Sequence, residues 1–174
     1  MLDEKDETAP ASEPLRDSEG HIRAEFLERV ERAIRSGDAH ALKSGVSVLH
    51  EADTGDLIEA LNPDLRPKLI ELMGSDFDFS ALTEVDDSVR EEILEGLPSE
   101  TVAEGVRDLD LDDAVYILED LPKEEQNEIL DRLPMPERFA LARSLDYPED
   151  SAGRLMQTEF VAVPPYWTVG QTID

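Results

Sequence analysis

Cysteine is absent from the 174 residues, so disulfides, thiol catalysis and zinc–thiolate sites are all excluded. Aromatic residues make up only 5% of the chain against 40% hydrophobic residues, so a core must be mainly aliphatic. No run approaches the ~18 apolar residues of a membrane span. The acidic N-terminus lacks the apolar segment of a signal peptide. Positive charge is scarce: 16 Lys and Arg stand against 43 Asp and Glu, for a net charge of −27. A phosphate backbone would be repelled, which argues against nucleic acid, and an anionic lipid surface likewise. The expectation is a soluble, cytoplasmic chain that favours cations, basic partners or high salt. Its four lysines and twelve arginines also fit the surface of a salt-adapted protein. Catalytic sets are missing as well. His21, His40 and His50 lack metal-ligand spacing, no Ser-His-Asp set stands out, and no glycine loop could cradle a phosphate. Gly153 in "SAGRLM" lacks the companions of a nucleotide fingerprint. No enzyme is expected.

What the chain does have is a repeat. Residues 1–19 are polar, acidic and proline-containing, and read as a disordered tail. From His21 the pattern turns helical. Ile22, Phe26, Leu27, Val30, Ala33 and Ile34 share one face, and Gly37 ends the helix. Then Leu49, Leu61, Met73, Val85, Leu97, Leu109, Leu121, Leu133 and Leu145 follow one another at steps of twelve. The next residue in each unit after the first is Asn62, Gly74, Asp86, Pro98, Asp110, Pro122, Pro134 or Asp146, all turn, cap or helix-starting types. Apolar pairs recur at a fixed place: Leu57-Ile58, Leu69-Ile70, Ala81-Leu82, Ile93-Leu94, Ile117-Leu118, Ile129-Leu130 and Leu141-Ala142. Gly105-Val106 is the weak member of that column.

Twelve residues broken by prolines cannot form one continuous helix. About nine helical residues and a turn fit better. Such a helix is only ~13 Å long and marginal alone, so it must stack on its neighbours. The expected fold is therefore all-α, a solenoid-like superhelix of right or left hand, in which each unit buries its face on the next.

The pattern changes after Leu145. "DYPEDSAGRLMQTEF" reads as a turn and a short helix from Glu149 to Met156. "FVAVPP" reads as an extended segment, and Thr168 as the cap of a further helix. The stretch "YPEDSAGRLMQTEFVAVPPYWTVGQTI" resembles the junction of MgtE-type magnesium transporters, where "EDSAGRLM" leads into the first strand of a CBS domain. The upstream short helices with "LP" joints resemble that family's intracellular N domain. The likeness covers about His21 to Asp174. It implies an N domain over residues 20–146, a junction helix over 147–158 and the incomplete start of a CBS domain over 159–174.

The resemblance further implies a regulatory module. In that family, acidic surfaces of the N and CBS domains face each other, and Mg²⁺ bound weakly between them holds the cytosolic part compact and favours a closed pore. The implied partners are the CBS domains and membrane pore of the same parent chain, in a homodimer. Asp112 matches the magnesium-binding aspartate of the family's "L-x-L-D-D" stretch, with Asp110 and Asp113 beside it. Four places on, Tyr116 stands where some relatives carry another acid. Read from the residues alone, Asp110 is a helix cap, and Asp112 and Asp113 are first-turn acids favoured by the helix dipole. Glu149 and Asp150 are either caps of the junction helix or cation ligands. Asp53, Asp56 and Glu59 read as a solvated helix face, and Asp76 and Asp78, around Phe77 in a loop-like stretch with Gly74, read as solvated too. Asp86-Asp87 with Arg90 reads as a cap and a local ion pair. The other reading of the whole chain is a soluble helical-repeat module that binds another protein, its acids serving solubility in salt.

Overall fold

A computed structural model describes residues 15–119, 121–148, 151–154, 156 and 163–170. Among them the chain is all-helical, apart from one antiparallel bridge between Arg16 and Ile22. The expected CBS strand, from Phe160, and most of the helix after Thr168 lie outside the described residues.

Helix α1 (Ala24–Ser36) buries Val30, Ala33 and Ile34 and ends at Gly37, whose φ of +69° suits glycine. Helix α2 (Ala39–Val46) is capped by Asp38, which accepts from the amide of Ala41. His40 lies in its first turn. The repeat follows: α3 (Glu51–Ala60), α4 (Arg66–Met73), α5 (Asp87–Glu95), α6 (Ser99–Arg107), α7 (Leu111–Leu118), α8 (Lys123–Leu130) and α9 (Met135–Leu145). Helices α5 to α9 begin at Asp87, Ser99, Leu111, Lys123 and Met135, each twelve places after the last. Pro98, Pro122 and Pro134 stand at the caps of α6, α8 and α9, where a fixed φ and a missing N–H cost nothing.

Short helices survive because they stack two apart. Helix α6 lies on α8 and α7 on α9, while α4 meets α5 across one intervening unit of two 3-10 turns. Alternate helices thus form two layers with an aliphatic core between them. The pairs Leu57-Ile58, Leu69-Ile70, Ala81-Leu82 and Ile117-Leu118 are almost wholly buried. Each such side chain contributes roughly 1.5–3 kcal/mol through burial, which short isolated helices cannot supply.

One unit departs from the nine-residue helix. Between α4 and α5 the chain makes two short turns of 3-10 helix, Gly74–Asp76 and Phe79–Thr83. Gly74, at φ +56°, ends α4, and Asp78 accepts from the amide of Ser80 to start the second turn. Phe77 and Phe79 are both buried and meet edge to face at 5.4 Å. The Phe79 ring explains the weak column. A Cβ on Gly105 would lie 2.2 Å from it, so α6 needs glycine where other units carry an apolar side chain.

The end of the expected tail is ordered. Arg16 reaches α3, hydrogen-bonding Asp53 through Nε at 2.9 Å and pairing with Asp56 at 2.6 Å. Asp53 and Asp56 are therefore ion-paired rather than merely solvated. The two carboxylates raise the Arg16 pKa above its usual value, with the hydrogen bond to Asp53 the larger cause.

Candidate functional site

The twelve-residue frame sets Asp110 just before α7 and Asp112 and Asp113 in its first turn. Asp110 occupies the N-cap position in extended geometry, yet its side chain caps none of the helix amides. Capping thus does not account for this carboxylate, contrary to the expectation. Asp112 and Asp113 are half-buried and Asp110 is exposed.

Two further acids converge there that the sequence did not signal. The Phe79–Thr83 turn packs against both α3 and α7. Its approach to α3 depends on Gly55, where a Cβ would lie 2.9 Å from that of Glu84. Glu84 on the turn and Glu51 on the first turn of α3 are thereby drawn toward α7. Burial pushes the Asp113 carboxyl above its usual pKa, and the charges of Asp112, Asp110, Glu51 and Glu84 push it the same way. A glycine at position 55, in the same helix as Glu51, was the only available signal. It becomes legible only once the packing of the turn is known.

Behind the acids lies a buried cation. Arg90 is 1% exposed. Its Nη2 donates to Asp87 at 2.8 Å, and its guanidinium lies 4.2 Å from the centroid of the Tyr116 ring. The ion pair expected after Asp86-Asp87 is present. Tyr116 stacks on this guanidinium one turn after Asp112. Asp86 also has a structural role, since its amide donates to Glu59 Oε1 at 2.9 Å.

The opposite end of α7 is organised differently. Gln126 is buried, and its Nε2 donates to the carbonyls of Leu118, Glu119 and Leu121 at 2.9–3.2 Å. Arg66 does the same for α3, donating to the carbonyls of Ile58 and Glu59 and pairing with Glu92 at 3.0 Å. Thr54, Arg66, Arg90 and Gln126 each lie five places after the leucine-column residue. They make up four of the six buried polar residues described, so this is a column of the repeat rather than chance. The column was not read from the sequence because its members differ in type.

The remaining candidates do not join α7. Asp76 and Asp78 line a separate cleft of about 690 Å³ with Glu71, Glu104 and Asp108, and Lys43 pairs with Asp76 at 2.5 Å. His50 caps α3, its Nδ1 accepting from the amide of Ala52 at 3.4 Å. Glu149 and Asp150 lie outside the described residues. Among the described residues, no group of three or more His, Cys, Asp or Glu is arranged to hold a metal ion.

A family model described as the MgtE intracellular N domain matches residues 49–150. The chain belongs to the MgtE N-domain family. That span runs from the first leucine of the repeat to the end of "PED", and so contains α3 to α9 of this N domain. The fold is also that of a crystal structure of the soluble part of a magnesium transporter. The likeness has a TM-score of 0.66 at 20% identity and covers 79% of this chain and 54% of that one. The chain thus spans about half the length of that relative. Comparison with curated proteins finds no match. Among the described residues of this N domain, no helix is long and apolar enough to cross a membrane.

Proposed function

We propose that this chain is the cytosolic, Mg²⁺-sensing part of a magnesium transporter. In this reading, the acids at the start of α7 bind the cation together with a neighbouring domain of the same parent chain. The observation that carries the reading is the crowding of Asp110, Asp112, Glu51 and Glu84 around the half-buried Asp113, whose carboxyl is held above its usual pKa. Carboxylates drawn together in this way repel, and a hard divalent cation removes the repulsion.

The residues fit Mg²⁺ as part of an interfacial site. Mg²⁺ keeps several waters and takes only one or two carboxylates, so a weak regulatory site can be shared between domains. Asp112 and Asp113 would supply the ligands on this side, with Asp110 contributing charge. Glu149 and Asp150 remain candidates at the junction. The partners are CBS domains and a membrane pore in a homodimeric parent. With Mg²⁺ bound, the cytosolic part is compact and the pore closed; when it is scarce, like charges separate the domains.

Calorimetry and scattering on the chain, with and without its following domains, test this at high, constant sodium. Saturable Mg²⁺ uptake with compaction, weakened by Asp112→Asn, is expected. A response no different from matched sodium would favour the second reading, a protein-interaction superhelix. That reading draws support from Met135 and Phe139, exposed at 59% and 65% and four places apart on α9.

A further inference from the structure

The segment after α9 is fastened to the helical stack by one side chain. Arg154 is 4% exposed, the least accessible charged group described after Arg90. Its Nη1 donates to the carbonyls of Leu145 at 2.7 Å and Tyr147 at 2.9 Å, closing the C-terminal end of α9. Its Nε donates at 3.1 Å to Glu119 Oε2, on the residue that ends α7. The preceding glycine is required, because a Cβ on Gly153 would lie 2.9 Å from the Tyr147 ring. One guanidinium therefore holds the exits of two helices and the chain that leaves them.

From this geometry we infer that Arg154 and Glu119 form a latch fixing the point and direction at which the chain leaves the helical domain. Tyr147, Gly153 and Arg154 are thereby part of the fold, and a domain that follows would start from a fixed anchor on α7 and α9. An exit held only by a flexible linker would lose orientation within a few residues. A buried guanidinium with two carbonyls and a carboxylate as acceptors does not, because opening it would take the donor from all three. The latch carboxylate also ends the helix whose first turn carries Asp112 and Asp113. Helix α7 is thus the element common to the acidic cluster and to the exit. The latch itself stands whether or not those acids bind Mg²⁺.

Trypsin reads the latch directly, because Arg154 is itself a tryptic site and is cut only when the segment opens. The 174-residue chain is digested at high sodium, and the fragment ending at Arg154 is followed by mass spectrometry. The wild type is expected to resist cleavage there. Glu119→Ala, which keeps the site but removes its carboxylate, should raise the cleavage rate by about tenfold or more, with Glu119→Gln in between. Circular dichroism checks that the helices persist; if Glu119→Ala fails to fold, Glu119→Gln decides. Glu92→Ala, which breaks the comparable Arg66 pair in the first half of the repeat, should leave cleavage at Arg154 unchanged. Equal cleavage in folded wild type and Glu119 variants would overturn the latch. So would an equal rise in Glu92→Ala, which would mean general loosening.

Discussion

The two ends of helix α7 solve the same electrostatic problem in opposite ways. At its C-terminal end the last carbonyls and the Glu119 carboxylate each have a side-chain donor. Gln126 serves three carbonyls, and Arg154 takes the Glu119 carboxylate. At its N-terminal end negative charge accumulates instead, with Asp113 pushed toward its neutral form by burial and by four acids around it. Both ends belong to one eight-residue helix in a chain of net charge −27. The comparison teaches that acidity alone does not mark a site here. Where the fold needs an acid it provides a cation beside it, as Arg66 for Glu92 and Arg154 for Glu119 also show. At the start of α7 four acids instead act on one half-buried carboxyl, that of Asp113.

The largest effect should come from breaking the satisfied end. Gln126→Leu keeps the bulk but strands three carbonyls, and should cost about 2 kcal/mol in chemical denaturation at high sodium. A cost near zero would show that water caps these carbonyls as well as the amide does, and would erase the contrast. A smaller loss is expected at the middle of the helix. Tyr116→Leu removes the ring stacked on Arg90 and should cost about 1 kcal/mol, most of it absent when Arg90 is replaced by Met in the same chain. Additive losses would mean that ring and guanidinium do not cooperate.

The smallest effect lies at the crowded end and grows with pH. The Asp113 pKa is raised in the folded state, so the native chain holds its proton after the unfolded chain has lost it. Stability contributed by this group is therefore present at low pH and lost as pH rises through the folded value. Asp113→Asn should gain on the wild type as pH rises from about 4 to 7, in thermal melts at constant ionic strength. A parallel pH dependence for the two would remove the evidence for crowding.

Much of this fold was legible in the sequence, because a leucine every twelve places and prolines at the joints leave few alternatives to short stacked helices. The unit between Gly74 and Asp86 was less legible. Its helix is replaced by two tight turns, because a positive-φ glycine and a pair of buried phenylalanines override the local pattern. Asp110, Asp112 and Asp113 could be named in advance since they lie within four residues that match the family's "L-x-L-D-D" stretch. Glu51 and Glu84 could not, because Glu84 reaches the helix of Glu51 only through the absence of a side chain at Gly55, about thirty places before it in the chain. The tail was misjudged at Arg16 for a similar reason: its acidic, proline-containing context hides a long-range pair with α3.

Under the proposed function, the start of α7 responds to Mg²⁺ and its end does not. Residue-resolved NMR of the chain, titrated with Mg²⁺ at constant ionic strength, tests this most directly. The account predicts saturable shifts centred on the amides of Asp110, Asp112 and Asp113 and on Glu51 and Glu84, with Leu118 to Gln126 unmoved. Shifts spread evenly over the acidic surface, and matched by sodium, would contradict it.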